Sequence, residues 1–205
     1  MKRLATALVL IPLVVWVILW APLWAFVLTL FVVGGFALHE AIEIGKNLAV
    51  SALGGTIYIG GAWTCAYNLR AINPHWLLFA LLLCWAGDTA AYYIGKNFGR
   101  HKMAPVISPG KTWEGAIASV VGGVFIGAIY AYCLIPSASL ATVLIVAALG
   151  NMAGQIGDLV ESAYKRWGGV KDSGSSLPGH GGWLDRIDSS LLSIPAVYLI
   201  LHFLS

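Results

Sequence analysis

The chain has 205 residues, a net charge of +3, 59% hydrophobic residues and only 10% charged ones, with a mean hydropathy of +0.83. A soluble domain carries about 25% charged residues, so this chain has too little polar surface to face water on all sides. A water-soluble globular domain is excluded, and an all-α, polytopic transmembrane helical bundle is the class that remains.

Met1-Lys2-Arg3 precedes an apolar run from Leu4. That start resembles a secretory leader, but no small-residue cleavage site stands before Pro22 and Trp24, so a retained first span is expected. Apolar runs between polar breaks predict about seven spans, at 4–20, 23–38, 48–69, 76–95, 115–135, 140–161 and 189–204. They form a single domain over 1–205, and its 24 glycines and 8 prolines suit close-packed membrane helices. Cys65, Cys84 and Cys133 each sit inside an apolar run and read as small hydrophobes rather than a disulfide framework. His39, Glu40 and Glu43 close the second span, where interfacial solvation explains them as well as function does. Asp88 lies inside the fourth span. An acid at that depth is costly and marks a functional site, against the plainer reading of a helix–helix hydrogen bond.

Charge placement predicts the topology. With the N-terminus cytoplasmic, the stretches 1–3, 39–47, 96–114 and 162–188 are cytoplasmic too. They hold Lys2, Arg3, Lys46, Lys96, Arg100, Lys102, Lys111, Lys165, Arg166, Lys171 and Arg186, all but Arg70 of the twelve Lys and Arg residues. Cytoplasmic loops favour these residues.

Two of these loops form the expected active site. The stretch 157–189 gathers Asp158, Glu161, Asp172, Asp185 and Asp188 among Lys165, Arg166, Lys171 and Arg186. Carboxylates hold Mg²⁺ and cationic side chains hold phosphates, so the mixture suits a nucleoside triphosphate. Capping of helix ends accounts for some of the acids but not for this density. Gly174, Gly179, Gly181 and Gly182 flank His180 and allow a tight backbone around an anion. In 96–114, Pro109-Gly110-Lys111-Thr112 is not a P-loop. Pro105 occupies the place of its first glycine, and no strand is expected before it. Ser108, Lys111, Thr112 and Glu114 remain candidates for gripping phosphate or metal.

Residues 162–188 resemble the signature of the phosphatidate cytidylyltransferase family. Ser162, Lys165, Arg166, Lys171, Asp172, Pro178, His180, Gly181, Gly182, Asp185, Arg186 and Asp188 fall in its register. Gly157-Asp158-Leu159, Ser108-Pro109, Lys111 to Gly115 and Asp88 to Tyr92 are similar to further family stretches, and the resemblance covers 54–204. Tyr164 and Trp183 stand where the family has aliphatic residues, and the chain is shorter than typical bacterial members by N-terminal spans.

The resemblance implies transfer of the CMP moiety of CTP to phosphatidate, giving CDP-diacylglycerol and pyrophosphate. It implies a catalytic set of Asp158, Lys165, Lys171, Asp172, His180, Asp185, Arg186 and Asp188. Substrate contacts are expected from Asp88, Ser108, Lys111, Thr112, Glu114, Ser162, Arg166, Gly181 and Gly182. Mg²⁺ is expected on Asp158, Asp185 and Asp188, with room for a second, monovalent cation. The expected setting is a multi-pass protein of the inner (plasma) membrane with its active site facing the cytoplasm. Its partners would be CTP, phosphatidate and the bilayer, without nucleic acid, and a homodimer is compatible. A CTP-dependent polyprenol or phytol kinase is the enzymatic alternative, and a transporter using Asp88 for ion coupling is the non-enzymatic one. The run from Lys171-Asp172 through the His-Gly-Gly stretch to Asp185-Arg186-x-Asp188 argues against both.

Overall fold

The computed structural model describes residues 2–176 and 181–204, with side chains from Leu8 onward. The helices are α1 (Lys2–Leu19), α2 (Leu23–Ile44), α3 (Leu48–Ile72), α4 (Pro74–Phe98), α5 (Trp113–Leu134), α6 (Leu140–Gly168), α7 (Leu184–Ile187) and α8 (Ser190–Leu204). Between α4 and α5 lies a hairpin of β1 (Lys102–Ala104) and β2 (Ser108–Thr112). Among the described residues, six stretches are long and apolar enough to cross a membrane: α2 to α6, and α7 with α8 as Leu184–Leu204. With apolar α1 they make the expected polytopic all-α bundle.

The α4 helix is the centre of the bundle, packing along α5 and touching α1, α3, α6 and α8. Its Phe79 and Leu83 are fully enclosed, together with Leu69, Val146 and Val197. Deeper toward the polar end the packing turns to hydrogen bonds. Asn151 of α6 donates to the Leu83 carbonyl at 2.9 Å and accepts from Ser119 at 3.2 Å and Gln155 at 2.8 Å. Gly87 makes this possible, because a Cβ there would stand 2.3 Å from the Asn151 amide nitrogen. Small residues at such crossings let three backbones close around one polar side chain.

Two predicted boundaries need correction. The sixth span was expected to end at 161, but α6 continues to Gly168. Ser162, Lys165 and Arg166 therefore project from a rigid helix and not from a loop. Apolarity stops at the membrane surface, whereas helical hydrogen bonding runs on until Gly169, in the left-handed region at φ +80°, ends it. The 96–114 stretch is likewise not a plain loop. Lys102 pairs with Thr112 and Ala104 with Ser108 in antiparallel register, so Gly110-Lys111-Thr112 is a strand rather than a phosphate-cradling turn. A lone two-stranded hairpin is marginal. This one is tied down by Trp113 N–H donating to the His101 carbonyl at 3.0 Å and Arg166 Nε donating to the Ile107 carbonyl at 3.2 Å.

Candidate active site

The polar ends of α2, α4, α5 and α6 meet the hairpin and α7 at one end of the bundle. There a cavity of about 310 Å³ opens, lined among others by Asp88, Lys111, Thr112, Ser119, Gln155 and Asp158. These side chains arrive from four elements, α4, β2, α5 and α6. Asp88 comes from α4, one residue beyond the tight crossing at Gly87. Asp158 comes from α6, seven residues beyond Asn151 on nearly the same face. Lys111 reaches in from β2, and its ammonium meets Asp158 Oδ2 at 2.6 Å. Ser162 Oγ donates to the other Asp158 oxygen at 3.3 Å. Thr112 is the N-cap of α5, accepting from Gly115 N–H at 3.1 Å. Glu114 pairs with His101 at 2.6 Å, outside the cavity lining.

The acids form an electrostatic group. The charges of Asp88 and Asp158 act on each other, Asp188 feels both, and Lys111 and Arg186 act on Asp88 with the opposite sign. Asp188 also accepts from Ser189 N–H at 2.6 Å.

Asp185 is placed differently. Its Oδ1 meets the Lys165 ammonium at 2.5 Å, and its Oδ2 accepts from Ser173 N–H at 3.0 Å and Gly182 N–H at 2.9 Å. Lys165 is also held by Glu161 at 2.6 Å, making a buried Glu161–Lys165–Asp185 triad. Gly181 sits at φ +78°, a conformation that residues with a Cβ seldom adopt, and a Cβ there would meet the Asp185 carboxylate. Among the described residues no three His, Cys, Asp or Glu side chains gather as a ready-made metal cluster. The expected trio of Asp158, Asp185 and Asp188 is thus not assembled as one shell, because Asp185 is spent on Lys165 and the loop.

The strongest organiser of the loop is Glu40 of α2, left open between solvation and function above. It is only 3% exposed and accepts four hydrogen bonds. One oxygen takes Ser173 Oγ at 2.8 Å and Leu184 N–H at 3.0 Å, and the other takes Ser176 Oγ and Trp183 N–H, both at 3.0 Å. Glu40 therefore grips both ends of the signature loop. Ser173 and Gln155 are further residues that sequence spacing did not select, and Glu161, one of the acids gathered in sequence, enters through the triad.

Among the expected site residues, Asp88, Lys111, Thr112 and Asp158 converge on the cavity. Ser162, Lys165, Arg166, Gly181, Gly182, Asp185, Arg186 and Asp188 lie on α6, the loop, α7 and the α7–α8 junction, outside that lining. Lys171 and Asp172 are exposed on the loop, and Ser108 is half-buried in β2. Pro178 and His180 lie outside the described residues.

Residues 57–204 match the profile of the cytidylyltransferase family. The chain belongs to that family. It is 42% identical over 144 residues to a phosphatidate cytidylyltransferase of Staphylococcus saprophyticus subsp. saprophyticus and 40% identical over 144 residues to one of Staphylococcus haemolyticus. It is 42% identical over 153 residues to one of Staphylococcus aureus strain COL. Each match covers 70% of this chain and 55% of the relative, so the chain spans little more than half the length of these curated relatives. Every cavity residue named above falls inside the cytidylyltransferase match, whereas Glu40 stands before it.

Proposed function

We propose that the chain transfers the CMP moiety of CTP to phosphatidate at the cytoplasmic face of the inner membrane, giving CDP-diacylglycerol and pyrophosphate. The observation that carries the reading is the Lys111–Asp158 contact, which closes a cation and helix-borne acids around one cavity at the ends of membrane helices. The names of the similar staphylococcal proteins point to the same reaction. A water-soluble nucleotide and a lipid headgroup can meet there without either leaving its own phase.

A phosphate monoester with a second pKa of about 6 is an oxyanion at neutral pH. Its oxygen attacks the α-phosphorus of CTP, a new P–O bond forms, and the bond to the β-phosphoryl oxygen breaks to release pyrophosphate. No strong general base is needed. The residues have two tasks, in-line positioning and neutralisation of charge. Lys111, Arg166 and Arg186 are the cations available for phosphate oxygens. Gln155 and Ser119 also line the cavity, with their donors turned to Asn151 and, for Gln155, the Ala116 carbonyl.

The donor set fits a divalent cation. Mg²⁺ takes one or two carboxylates and completes its shell with waters and substrate phosphates. Asp158, with Asp88 or Asp188 beside it, supplies hard oxygens of that kind, and Asp185 keeps its structural role. When bound, the ion would offset negative charge on the triphosphate and on departing pyrophosphate.

The test is direct. The chain, purified in detergent, is given labelled CTP with phosphatidate, with dolichol, or with no lipid. Pyrophosphate release that requires phosphatidate is the expected result. Release driven by dolichol, or independent of lipid, overturns the assignment.

A further inference from the structure

A second cavity, of about 290 Å³, lies between α2, α3 and α6, apart from the one described above. Its walls include Ser51, Gly54, Tyr58, Ile59, Val160 and Glu161. The size is at the lower end of small-molecule sites. Tyr58 lies about ten residues into α3, or about 15 Å from the helix start. That is roughly half the hydrocarbon thickness of a bilayer. On a helix that crosses the bilayer from its first turn, the cavity reaches the depth of one leaflet, and Leu53, Ile57 and Trp167 beside it are exposed on the helix surfaces.

Two polar atoms in this apolar space lack partners. Glu161 is 4% exposed; among the described residues its Oε1 has no hydrogen bond, and its Oε2 meets the Lys165 ammonium at 2.6 Å. The Tyr58 hydroxyl is buried and makes no hydrogen bond among the described residues. Leaving a buried polar group unpaired costs about 1–3 kcal/mol, so an occupant that pairs both is favoured. Paired with the Lys165 ammonium, Glu161 is a carboxylate, and its other oxygen demands a donor. Among the described residues no Lys or Arg lines the cavity, and Lys165 is already held between Glu161 and Asp185, so a phosphate is repelled. A lipid whose only polar groups are esters would satisfy Tyr58 and leave Glu161 unpaired. A hydroxyl donates to Glu161 and accepts from Tyr58.

We propose that this cavity binds a neutral lipid with a free hydroxyl, of the acylglycerol class, with its acyl chain lying along α3 and α6 toward the bilayer. The cavity is separate from the first one but touches its surroundings through Glu161 and Lys165, so its test reads binding rather than turnover. The chain is placed in nanodiscs of phosphatidylcholine with a diacylglycerol carrying a diazirine in its acyl chain, irradiated, and mapped by peptide analysis. Competitors are unlabelled diacylglycerol and its O-methyl ether, which keeps the acceptor oxygen and lacks the donor.

Label is expected on residues 48–59 and 160–167. Diacylglycerol should displace it about tenfold better than the ether, the factor equivalent to one hydrogen bond of about 1.4 kcal/mol. Tyr58→Phe should lower the affinity for diacylglycerol without lowering Tm, since the Tyr58 hydroxyl bonds nothing among the described residues. Gly54→Leu, where a Cβ meets nothing within 4 Å, should fill the cavity and abolish the label. If Gly54→Leu unfolds the chain, the ether comparison and Tyr58→Phe still decide. Equal displacement by the ether, label that diacylglycerol does not displace, or label surviving a folded Gly54→Leu would overturn the proposal, leaving bilayer contact or water alone.

Discussion

Lys111 and Asp158 join β2 to α6 at 2.6 Å, with both side chains mostly shielded. Under the proposed reaction, Lys111→Met removes the cation nearest the reacting phosphates. Activity should fall at least about a hundredfold, on the scale of losing one principal charge-stabilising group. Steady-state kinetics with membranes still showing inserted protein check it, and a loss under tenfold would remove Lys111 from the chemistry. Arg186→Lys should not restore function to that position, because a guanidinium meets phosphate oxygens in a fork and an ammonium does not. Asp185 makes the opposite case. Asn in its place turns one acceptor oxygen into a donor facing either the Lys165 ammonium or two backbone N–H groups. Loss of a buried partner costs about 3 kcal/mol or more, so thermal unfolding should drop by several degrees. The Mg²⁺ concentration for half-maximal activity should stay near wild type for Asp185→Asn and rise for Asp158→Asn. A rise for both would return Asp185 to the cation.

The signature loop is held as an element by Glu40, from a helix 133 residues away in sequence from Ser173. Each Glu40 oxygen accepts one hydroxyl and one backbone N–H, so Glu40→Gln must turn an NH₂ group toward a backbone donor. Buried mismatches of this kind cost about 1–3 kcal/mol, enough to loosen the loop while the bundle survives. Limited proteolysis should cut between 173 and 184 faster in this variant, with unchanged helical circular dichroism and lower kcat. Cleavage at the wild-type rate would make Glu40 a bystander. No periodicity could have exposed this role: in sequence Glu40 is one acid at the end of an apolar run, and its meaning comes from what folds against it. The hairpin was hidden for a related reason. Its strands are short, contain Pro109 and Gly110, and show no alternation of apolar residues. The spans were readable because each needs about 20 apolar residues to match the bilayer. Asp88 and Asp158 were readable because an acid inside or at the edge of such a run needs a reason. The different surroundings of Asp158 and Asp185 were not, since identical carboxylates differ only in their neighbours.

Across the whole molecule the polar chemistry is one-sided. The last turn of α2, the C-terminal ends of α4 and α6, the hairpin, the first turn of α5 and α7 lie together. Glu40 to Ser173, Tyr164 Oη to the Ala41 carbonyl at 2.7 Å, Arg166 to Ile107 and Lys111 to Asp158 join them. Antiparallel succession of the helices puts the α1–α2, α3–α4 and α5–α6 turns at the other end. The single basic residue expected on that side, Arg70, is accounted for by structure. Its guanidinium donates to the carbonyls of Ile18, at 2.9 Å, and Ala21, at the end of α1, and stands 4.6 Å over the Phe26 ring. A cation at a helix C-terminus satisfies carbonyls that lack an intrahelical donor. Arg70 is thereby partly neutralised as a topological signal, and the remaining basic residues all favour a cytoplasmic hairpin. A chain with Cys65, Cys84 and Cys133 replaced by Ala then carries a single new cysteine at one of two exposed sites. Val106, 87% exposed, marks the hairpin tip, and Ser137, also exposed, marks the α5–α6 turn. In intact cells a membrane-impermeant maleimide should modify Ser137→Cys and spare Val106→Cys until the membrane is opened. Modification of Val106→Cys in sealed cells, with Ser137→Cys protected, would invert the bundle and place the proposed CTP site on the wrong side of the membrane.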